Sequence, residues 1–283
     1  MSAHEDGQST VVVHTGGVGD FLLACPALQA LSQRAPLTLM GNPDRLALAR
    51  LGGMEVDIVD METVDFHTLF SDPSGHAREC FAGFDRAIVW MNDADGAIRR
   101  GLAATGIDEV ETFSGLPPAD WRRHASAYYL ECLGLQDAAC PFCLSPPQPG
   151  AHYDVIIHPG SGGAHKNWPV GRFSAVTDSL LNQDYAVAWA LGPAERGVEA
   201  PAGAGKLSGV PLPSLASMLS AARLYIGNDS GITHLAAAAA CPVVALFGPT
   251  DANIWAPRGL HIDVMSLEMG PEQLMKFLVR LLD

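Results

Sequence analysis

The stretch LYIGNDSGITHLAAAAACPVVALF occupies residues 224–247 and carries the pattern of a complete β-α-β unit. Short apolar runs at residues 224–227 and 243–247 predict two strands, and the alanine-rich residues between them predict a helix over 232–240. Glycine, asparagine, aspartate and serine join the first strand to the helix, as expected of residues that turn the backbone and cap a helix. Because parallel strands need such a crossover helix, this unit predicts an α/β protein with parallel sheets.

The same alternation of apolar runs and helical stretches extends outward from this unit through most of the chain. The other predicted strands are residues 10–14, 37–40, 56–60, 87–91, 155–158 and 186–191. The other predicted helices are residues 20–34, 43–51, 120–133, 170–182, 212–222 and 271–282. Strands and helices that alternate in both halves of the chain predict two parallel sheets.

A proline-rich segment separates these two halves. Residues 144–150 read LSPPQPG, which cannot continue a helix or a central strand. We interpret residues 134–150 as an interdomain linker. The length of 283 residues suits two compact domains, which we predict at residues 1–144 and 151–283.

The charge balance argues against a nucleic-acid partner. The formal net charge is −14, and hydrophobic residues make up 48% of the chain, so each half can bury a core. The first 150 residues hold nine arginines, no lysine and 20 acidic residues. An acidic chain without a basic tract is a poor nucleic-acid binder.

The sequence carries no sign of export or of a membrane span. Residues 1–10 are polar and acidic, without a positive region followed by an apolar one. The longest apolar stretch, residues 235–247, is interrupted by Pro242 and is too short to cross a bilayer. We therefore expect a cytoplasmic protein, and no basic amphipathic helix indicates attachment to a membrane surface.

The cysteines and paired aspartates do not predict a metal site. Cys140-Pro-Phe-Cys143 lacks the second cysteine pair or the histidines that a zinc site requires, and it lies in a proline-rich connector. Asp93-Ala-Asp95 follows a predicted strand, where turn-forming residues are expected. We expect reduced thiols and no bound metal.

The first candidate loop, HTGGVGD at residues 14–20, leads from a strand into a helix. Its glycines allow a sharp turn and a close approach to a ligand. It is a weak dinucleotide fingerprint, because the third glycine of GxGxxG is missing. Asp20 either caps the helix or acts as a general base on an incoming hydroxyl group.

The second candidate loop, HPGSGGAHKNWP at residues 158–169, also follows a strand. Ser161 and Gly162 offer hydroxyl and backbone donors to phosphate oxygens. Lys166 adds a positive charge that suits a diphosphate. The alternative is a tight loop with a solvated lysine.

The third candidate loop, GNDSGITH at residues 227–234, enters the alanine-rich helix. Asp229 or Ser230 can cap this helix, whose free N–H groups suit a pyrophosphate. His234 lies on the same helical face as Ser230 and either faces a ligand or is a satisfied core histidine.

The fourth candidate loop, LFGPTD at residues 246–251, ends a buried strand. Thr250 and Asp251 either lie beside the third loop or are ordinary turn residues. Ligands of parallel α/β sheets bind at the carboxyl ends of the strands. We therefore expect these loops to surround a binding cleft.

Taken in order along the chain, these motifs resemble glycosyltransferase family 9, the ADP-heptose:lipopolysaccharide heptosyltransferases. The segments that carry the resemblance are GDFLLACPAL (19–28), HPGSG (158–162), KNWP (166–169), GPAE (192–195), GNDSG (227–231), HLAA (234–237) and ALFGPTD (245–251). The second half of the chain matches throughout, and the first half matches up to about residue 31.

This resemblance implies a GT-B fold, in which two Rossmann-like domains face each other across a cleft. It also implies an inverting transfer that uses no metal and no cofactor, with an ADP-linked nucleotide sugar as the donor substrate. Asp20 would be the general base that deprotonates the acceptor hydroxyl. The residues expected to bind the donor are Ser161, Gly162, Lys166, Glu195, Asp229, Ser230, Gly231, His234 and Thr250.

The expected reaction moves heptose from ADP-heptose to a glycan such as the lipopolysaccharide core. A lipid-linked acceptor would allow a peripheral contact with the inner membrane. The first half, where the resemblance places the acceptor, is short and acidic, whereas inner-core acceptors are anionic and need basic contacts. Its paired basic residues are Arg99-Arg100 and Arg122-Arg123, so a less charged glycan or another small molecule stays open as the acceptor.

Three other functions stay open at this point. A nucleotide-sugar epimerase of the same fold would act on the donor alone. A non-catalytic relative would bind a nucleotide sugar without transferring it. A nicotinamide-dependent dehydrogenase rests only on the weak glycine-rich turn at residues 14–20.

Overall fold

The computed structural model describes residues 8–136, 140–148 and 152–282. The chain divides into two compact units, Met1–Ala139 and Cys140–Asp283. Each unit is built on one parallel sheet with helices in the crossover connections. This arrangement confirms the predicted α/β class.

The first unit contains a five-stranded parallel sheet in the order β3-β2-β1-β4-β5. Its strands are β1 (Thr10–His14), β2 (Leu37–Gly41), β3 (Val56–Asp60), β4 (Arg86–Trp90) and β5 (Glu109–Phe113). Its helices are α1 (Val18–Ser32), α2 (Pro43–Leu51), α3 (Gly75–Phe81), α4 (Ala97–Ala103) and α5 (Ala125–Cys132). Strand β1 is central and fully buried, which explains its continuous run of valines.

The second unit contains a six-stranded parallel sheet in the order β11-β10-β9-β6-β7-β8. Its strands are β6 (Val155–His158), β7 (Val187–Leu191), β8 (Gly205–Ser208), β9 (Leu224–Asn228), β10 (Val243–Phe247) and β11 (Ile262–Ser266). Its helices are α6 (Val170–Leu181), α7 (Leu212–Ala221), α8 (Gly231–Ala238), α9 (Ala252–Trp255) and α10 (Pro271–Leu282). In both sheets the strand order reverses beside the first strand of the unit, and such reversals open a crevice for ligands at the carboxyl ends.

The last helix, α10, is strongly amphipathic. Leu274, Leu278 and Leu282 recur every four residues and are buried in the core of the second unit, whereas Val279 and Leu281 are exposed. This spacing explains why its bounds were predictable from the sequence. Across the described residues, none of the helices combines the length and the apolar character that a membrane span requires.

The predicted strands agree with the structure to within one residue at either end, whereas three strands were not predicted. These strands, β5, β8 and β11, all lie at sheet edges and are partly exposed. An edge strand that packs on few neighbours carries no continuous apolar run, so its signal is weak. The helix predicted over residues 120–133 begins at Ala125, because His124 is its cap.

The segment after the division packs against the second unit. Phe142 and Leu144 are buried, and the backbone N–H of Leu144 donates to the carbonyl oxygen of Ala238 at 2.7 Å. The chain therefore divides before Cys140, ahead of residue 144, where the first domain was predicted to end.

Candidate functional site

Three residues predicted to bind the donor meet at the carboxyl edge of the second sheet. The Lys166 Nζ atom lies 2.8 Å from Oδ2 of Asp229, and the Thr250 hydroxyl donates to the same oxygen at 2.6 Å. The three residues follow β6, β9 and β10, which are neighbours in the sheet. Their loops come together because all three strands run in parallel.

The cluster of Lys166, Asp229 and Thr250 is charged and partly shielded from solvent. The Asp229 side chain is only 8% exposed, whereas that of Lys166 is 29% exposed. A buried carboxylate is costly unless it is paired, so Lys166 and Thr250 stabilise Asp229. The ammonium group of Lys166 has three protons, and the bond to Asp229 uses one of them. Lys166 can therefore still donate to a phosphate oxygen.

Asn228, the last residue of β9, holds both ends of the loop that carries Lys166. Its Nδ2 donates to the carbonyl oxygen of Pro159 at 2.7 Å, and its Oδ1 accepts from the backbone N–H of Trp168 at 2.8 Å. Asn228 is fully buried. The sequence analysis gave it no role, although an amide at the end of an apolar buried strand is a recognisable signal.

We expect Asn228→Ala to lower the free energy of unfolding by about 2–4 kcal/mol, because two buried backbone groups lose their partners. Denaturant unfolding of the full chain measures this effect. Asn253→Ala is the matched control, since Asn253 is exposed and its side-chain amide donates to Asp251. A loss no larger than that of the control would show that Asn228 does not hold the loop.

The predicted phosphate ligands Ser161 and Gly162 lie in this same loop. The Ser161 Oγ atom is 2.6 Å from Oδ1 of Asn167 and 2.8 Å from the carbonyl oxygen of Gly163. The Gly163 N–H also donates to it at 3.2 Å. The hydroxyl group therefore shapes the loop from within. A Cβ at Gly162 would meet nothing within 4 Å, so the backbone is open there.

Ser230 is the N-cap of α8. Its Oγ accepts from the backbone N–H of Thr233 at 3.4 Å, while Asp229 pairs with Lys166 instead. Gly231 begins the helix, and His234 lies one turn from the cap and is buried. The N–H groups of the first turn form a positive end, which favours an anion.

Glu195 is buried at the carboxyl end of β7. Its Oε2 accepts from the backbone N–H of Gly192 at 2.7 Å. A Cβ at Gly160 would lie 1.7 Å from Oε1 of Glu195, so only glycine fits there. Nearby, the Nδ1–H of His158 donates to the carbonyl oxygen of Ala190 at 2.8 Å, and burial lowers the pKa of His158.

Asp20, the predicted base, lies in the first unit. Helix α1 begins at Val18, two residues before the predicted start, and Gly17 occupies its N-cap position. The Gly17 N–H donates to Oδ2 of Asp20 at 2.8 Å, so the carboxylate does cap its own helix. A Cβ at Gly16 would lie 2.8 Å from the Cβ of Asp20, which explains the glycine there. Because the cap orients the carboxylate, capping and base chemistry are compatible.

His14 lies beneath this turn as an uncharged ring. Burial and the positive charge of Arg45 lower the pKa of His14 to about 4. Its ring packs edge-on against Phe21, with centroids 5.4 Å apart, and Nε2 is buried without a hydrogen-bond partner among the described residues. His14 is thus neutral at physiological pH, and it adds no positive charge beside Asp20.

The aspartate pair of the first unit caps a helix. Asp93 accepts from the backbone N–H groups of Ile98 and Arg99 at 2.9 and 3.0 Å, and Asp95 accepts from that of Ala97. Within residues 8–136, 140–148 and 152–282, no group of three or more His, Cys, Asp or Glu side chains could hold a metal. The expected absence of a metal nevertheless stays a prediction.

A family model described as glycosyltransferase family 9 (heptosyltransferase) matches residues 127–276, more than half of the chain. Lipopolysaccharide heptosyltransferase 3 of Escherichia coli is 30% identical to the chain over 168 residues. That alignment covers 55% of the chain and 44% of the relative, so the chain spans less than half the length of this relative.

Solved structures of the same fold cover nearly the whole chain. The glycosyl transferase family 9 protein from Veillonella parvula has a TM-score of 0.78 at 20% identity, covering 100% of this chain and 99% of that one. ADP-heptose lps heptosyltransferase II of E. coli has a TM-score of 0.75 at 18% identity, covering 97% and 98%. At such identities the likeness concerns the fold, and it confirms the predicted GT-B class of two Rossmann-like domains.

Proposed function

Because the chain belongs to glycosyltransferase family 9, we propose that it transfers a sugar from a nucleoside-diphosphate donor to a hydroxyl group of a glycan. The observation that carries this proposal is the meeting of Lys166, Thr250 and Asp229 beside the N-terminus of α8. A cation and the backbone amides at the start of a helix, both at the carboxyl edge of a parallel sheet, match the oxygens of a diphosphate.

The proposed step is a single displacement that inverts the anomeric carbon. Asp20 takes the proton of the acceptor hydroxyl group while the hydroxyl oxygen of the acceptor bonds to the anomeric carbon. The bond between this carbon and the diphosphate breaks, and its electron pair leaves on the phosphate oxygen. Lys166 and the amides at the start of α8 stabilise the charge that develops there. The other residues proposed to form the donor site are Ser161, Gly162, Glu195, Asp229, Ser230, Gly231, His234 and Thr250.

The donor proposed is ADP-heptose, and the acceptor is a glycan such as the lipopolysaccharide core. The names of the E. coli heptosyltransferases that resemble the chain support this choice. The first 150 residues of the chain are acidic and contain no lysine, which limits how strongly they can bind an anionic acceptor. The few arginines would have to meet the anionic groups of a core glycan.

We propose further that the reaction needs no metal ion. Lys166 and the positive end of α8 supply the electrostatic stabilisation that a divalent cation would otherwise give to a leaving diphosphate. The carboxylate of Asp229 already has two partners, a cation and a hydroxyl. Transfer measured with a chelator present should therefore equal transfer measured without it.

The first test is calorimetric titration of the protein with ADP, UDP, GDP and NAD in the presence of a chelator. We expect ADP to bind at least about ten-fold more tightly than the others, which corresponds to about 1.4 kcal/mol. A preference for UDP or GDP would contradict the ADP-linked donor. Failure to bind any nucleotide would contradict the proposed donor site.

The second test separates transfer from other chemistry on the donor. ADP-heptose incubated without an acceptor should stay intact, and ADP release should require a glycan with a free hydroxyl group. A rearranged sugar without an acceptor would instead identify an epimerase. If ADP-heptose binds but none of the glycans tested causes ADP release, the protein is a non-catalytic relative.

A further inference from the structure

Arg45 is the arginine that contacts the turn carrying Asp20. It lies in the first turn of α2, and its Nη1 donates to the backbone carbonyl oxygens of Gly16 and Thr15, the latter at 3.4 Å. The guanidinium group is thus hydrogen-bonded to the backbone of this turn.

The two contacts of the turn meet in one peptide group. The carbonyl oxygen of Gly16 accepts from Arg45, and the N–H of Gly17 donates to Oδ2 of Asp20. These two atoms belong to the same planar unit, whose C=O and N–H point in opposite directions. A peptide plane that is held at its oxygen also has a fixed N–H direction. The position of the Asp20 carboxylate therefore depends on a contact made on the far side of the plane.

The charge of Arg45 strengthens this arrangement. A cation at the carbonyl oxygen polarises the peptide group, so its N–H becomes a better donor, since hydrogen bonds in a chain reinforce one another. Both contacts come from one nitrogen, Nη1, whose N–H groups have fixed directions in the planar guanidinium, whereas an ammonium on a flexible stem is oriented less firmly. Asp44, the acidic neighbour on α2, is exposed to solvent.

We infer that Arg45 is a positioning residue, which aims the carboxylate of Asp20 through the peptide group between Gly16 and Gly17. The catalytic consequence rests on the proposed function, because it takes Asp20 as the base. The structural part stands without it, since the contacts lie within the first unit. In this role, Arg45 touches neither the donor nor the acceptor.

The experiment compares Arg45→Met with Arg50→Met, a matched control on the same helix. Arg50 also donates to a backbone carbonyl, that of Val56, through Nε and Nη2 at 3.1 and 3.0 Å. Both changes remove one positive charge and two hydrogen bonds between a guanidinium group and backbone carbonyl oxygens from α2. Only Arg45→Met removes the contact with the turn of Asp20.

The first readout is solvent exchange of the Gly17 amide, followed by NMR in the protein without ligands. We expect exchange about ten-fold faster in Arg45→Met and unchanged in Arg50→Met. Only Arg45→Met removes the charged group that holds the peptide between Gly16 and Gly17. Equal exchange in wild type and Arg45→Met would overturn the inference. So would equal acceleration in both variants, which would indicate a general effect on α2.

The second readout is transfer. We expect kcat to fall by roughly 100-fold in Arg45→Met with KM for the donor unchanged, because a small misplacement of a catalytic group is costly. Arg45→Lys should regain only part of this loss, because the ammonium keeps the charge but is oriented less firmly. A raised KM for the acceptor with unchanged kcat would overturn the inference in favour of acceptor binding by Arg45. If the wild type shows no transfer while the Gly17 amide responds as expected, the proposed function fails and the positioning role stands.

Discussion

Replacement of Asp20 by asparagine should lower the rate of transfer by about 10²- to 10⁴-fold, the usual contribution of a general base. Asparagine has the same shape and can still accept the N–H of Gly17, so the cap of α1 survives the change. What it cannot do is take the proton of the acceptor hydroxyl. The loss should therefore appear in kcat, measured as ADP release in the presence of an acceptor.

Two further measurements make this result specific. The affinity of the variant for ADP should equal that of the wild type, because the residues proposed to bind the donor belong to the second unit. Asp44→Asn is the matched control, since it removes an exposed carboxylate from the first turn of α2 and should leave the rate unchanged. Near wild-type turnover in Asp20→Asn would mean that another group acts as the base.

Lys166→Met should weaken binding of the nucleotide sugar and slow transfer, together by roughly 100-fold in kcat/KM, which is about 2.7 kcal/mol. Two effects add. The diphosphate loses a cation, and the buried carboxylate of Asp229 loses its charged partner and faces an anionic ligand. Lys206→Met is the matched control, because Lys206 forms an exposed ion pair with Glu199 in the same unit, and such pairs contribute little.

A double-mutant cycle with Asp229→Asn separates these two effects. If the isolated charge of Asp229 causes much of the loss, Lys166→Met combined with Asp229→Asn should bind ADP better than Lys166→Met alone. If the loss comes only from a missing contact with phosphate, the double variant should bind no better. Unchanged ADP affinity in Lys166→Met would contradict the place of Lys166 in the donor site.

Local sequence pattern was sufficient for the strands that form the centre of each sheet. The bounds of β1, β6 and β10 were predicted without error, because a strand buried on both faces must be apolar along its whole length. The edge strands β5 and β11 were missed, because exposure on one side leaves polar residues in the run. The helix α5 was predicted to start too early, since its histidine cap carries a weak signal.

The candidate site was predicted residue by residue but not as a set of contacts. Lys166 was a candidate because glycine, serine and lysine follow a predicted strand there. Thr250 was a candidate because a turn follows another predicted strand. Nothing in either pattern indicated that both side chains would meet one oxygen of Asp229. The functions of Asn228 and Arg45 were absent from the sequence analysis, because both act on backbone atoms distant in the chain.

Composition, periodicity and turn chemistry are properties of neighbouring residues, and they were enough to identify two α/β halves and the loops that carry the candidate chemistry. Contacts between distant residues follow instead from strand order. Lys166 and Asp229 are 63 residues apart and meet because β6 pairs with β9, whereas Arg45 and Gly16 are 29 apart and meet because β1 pairs with β2. Local pattern predicts that a strand exists but not which strand it will pair with, because pairing depends on the packing of the whole sheet. Tertiary structure alone therefore decided which partners Asp229 has and what holds the turn of Asp20.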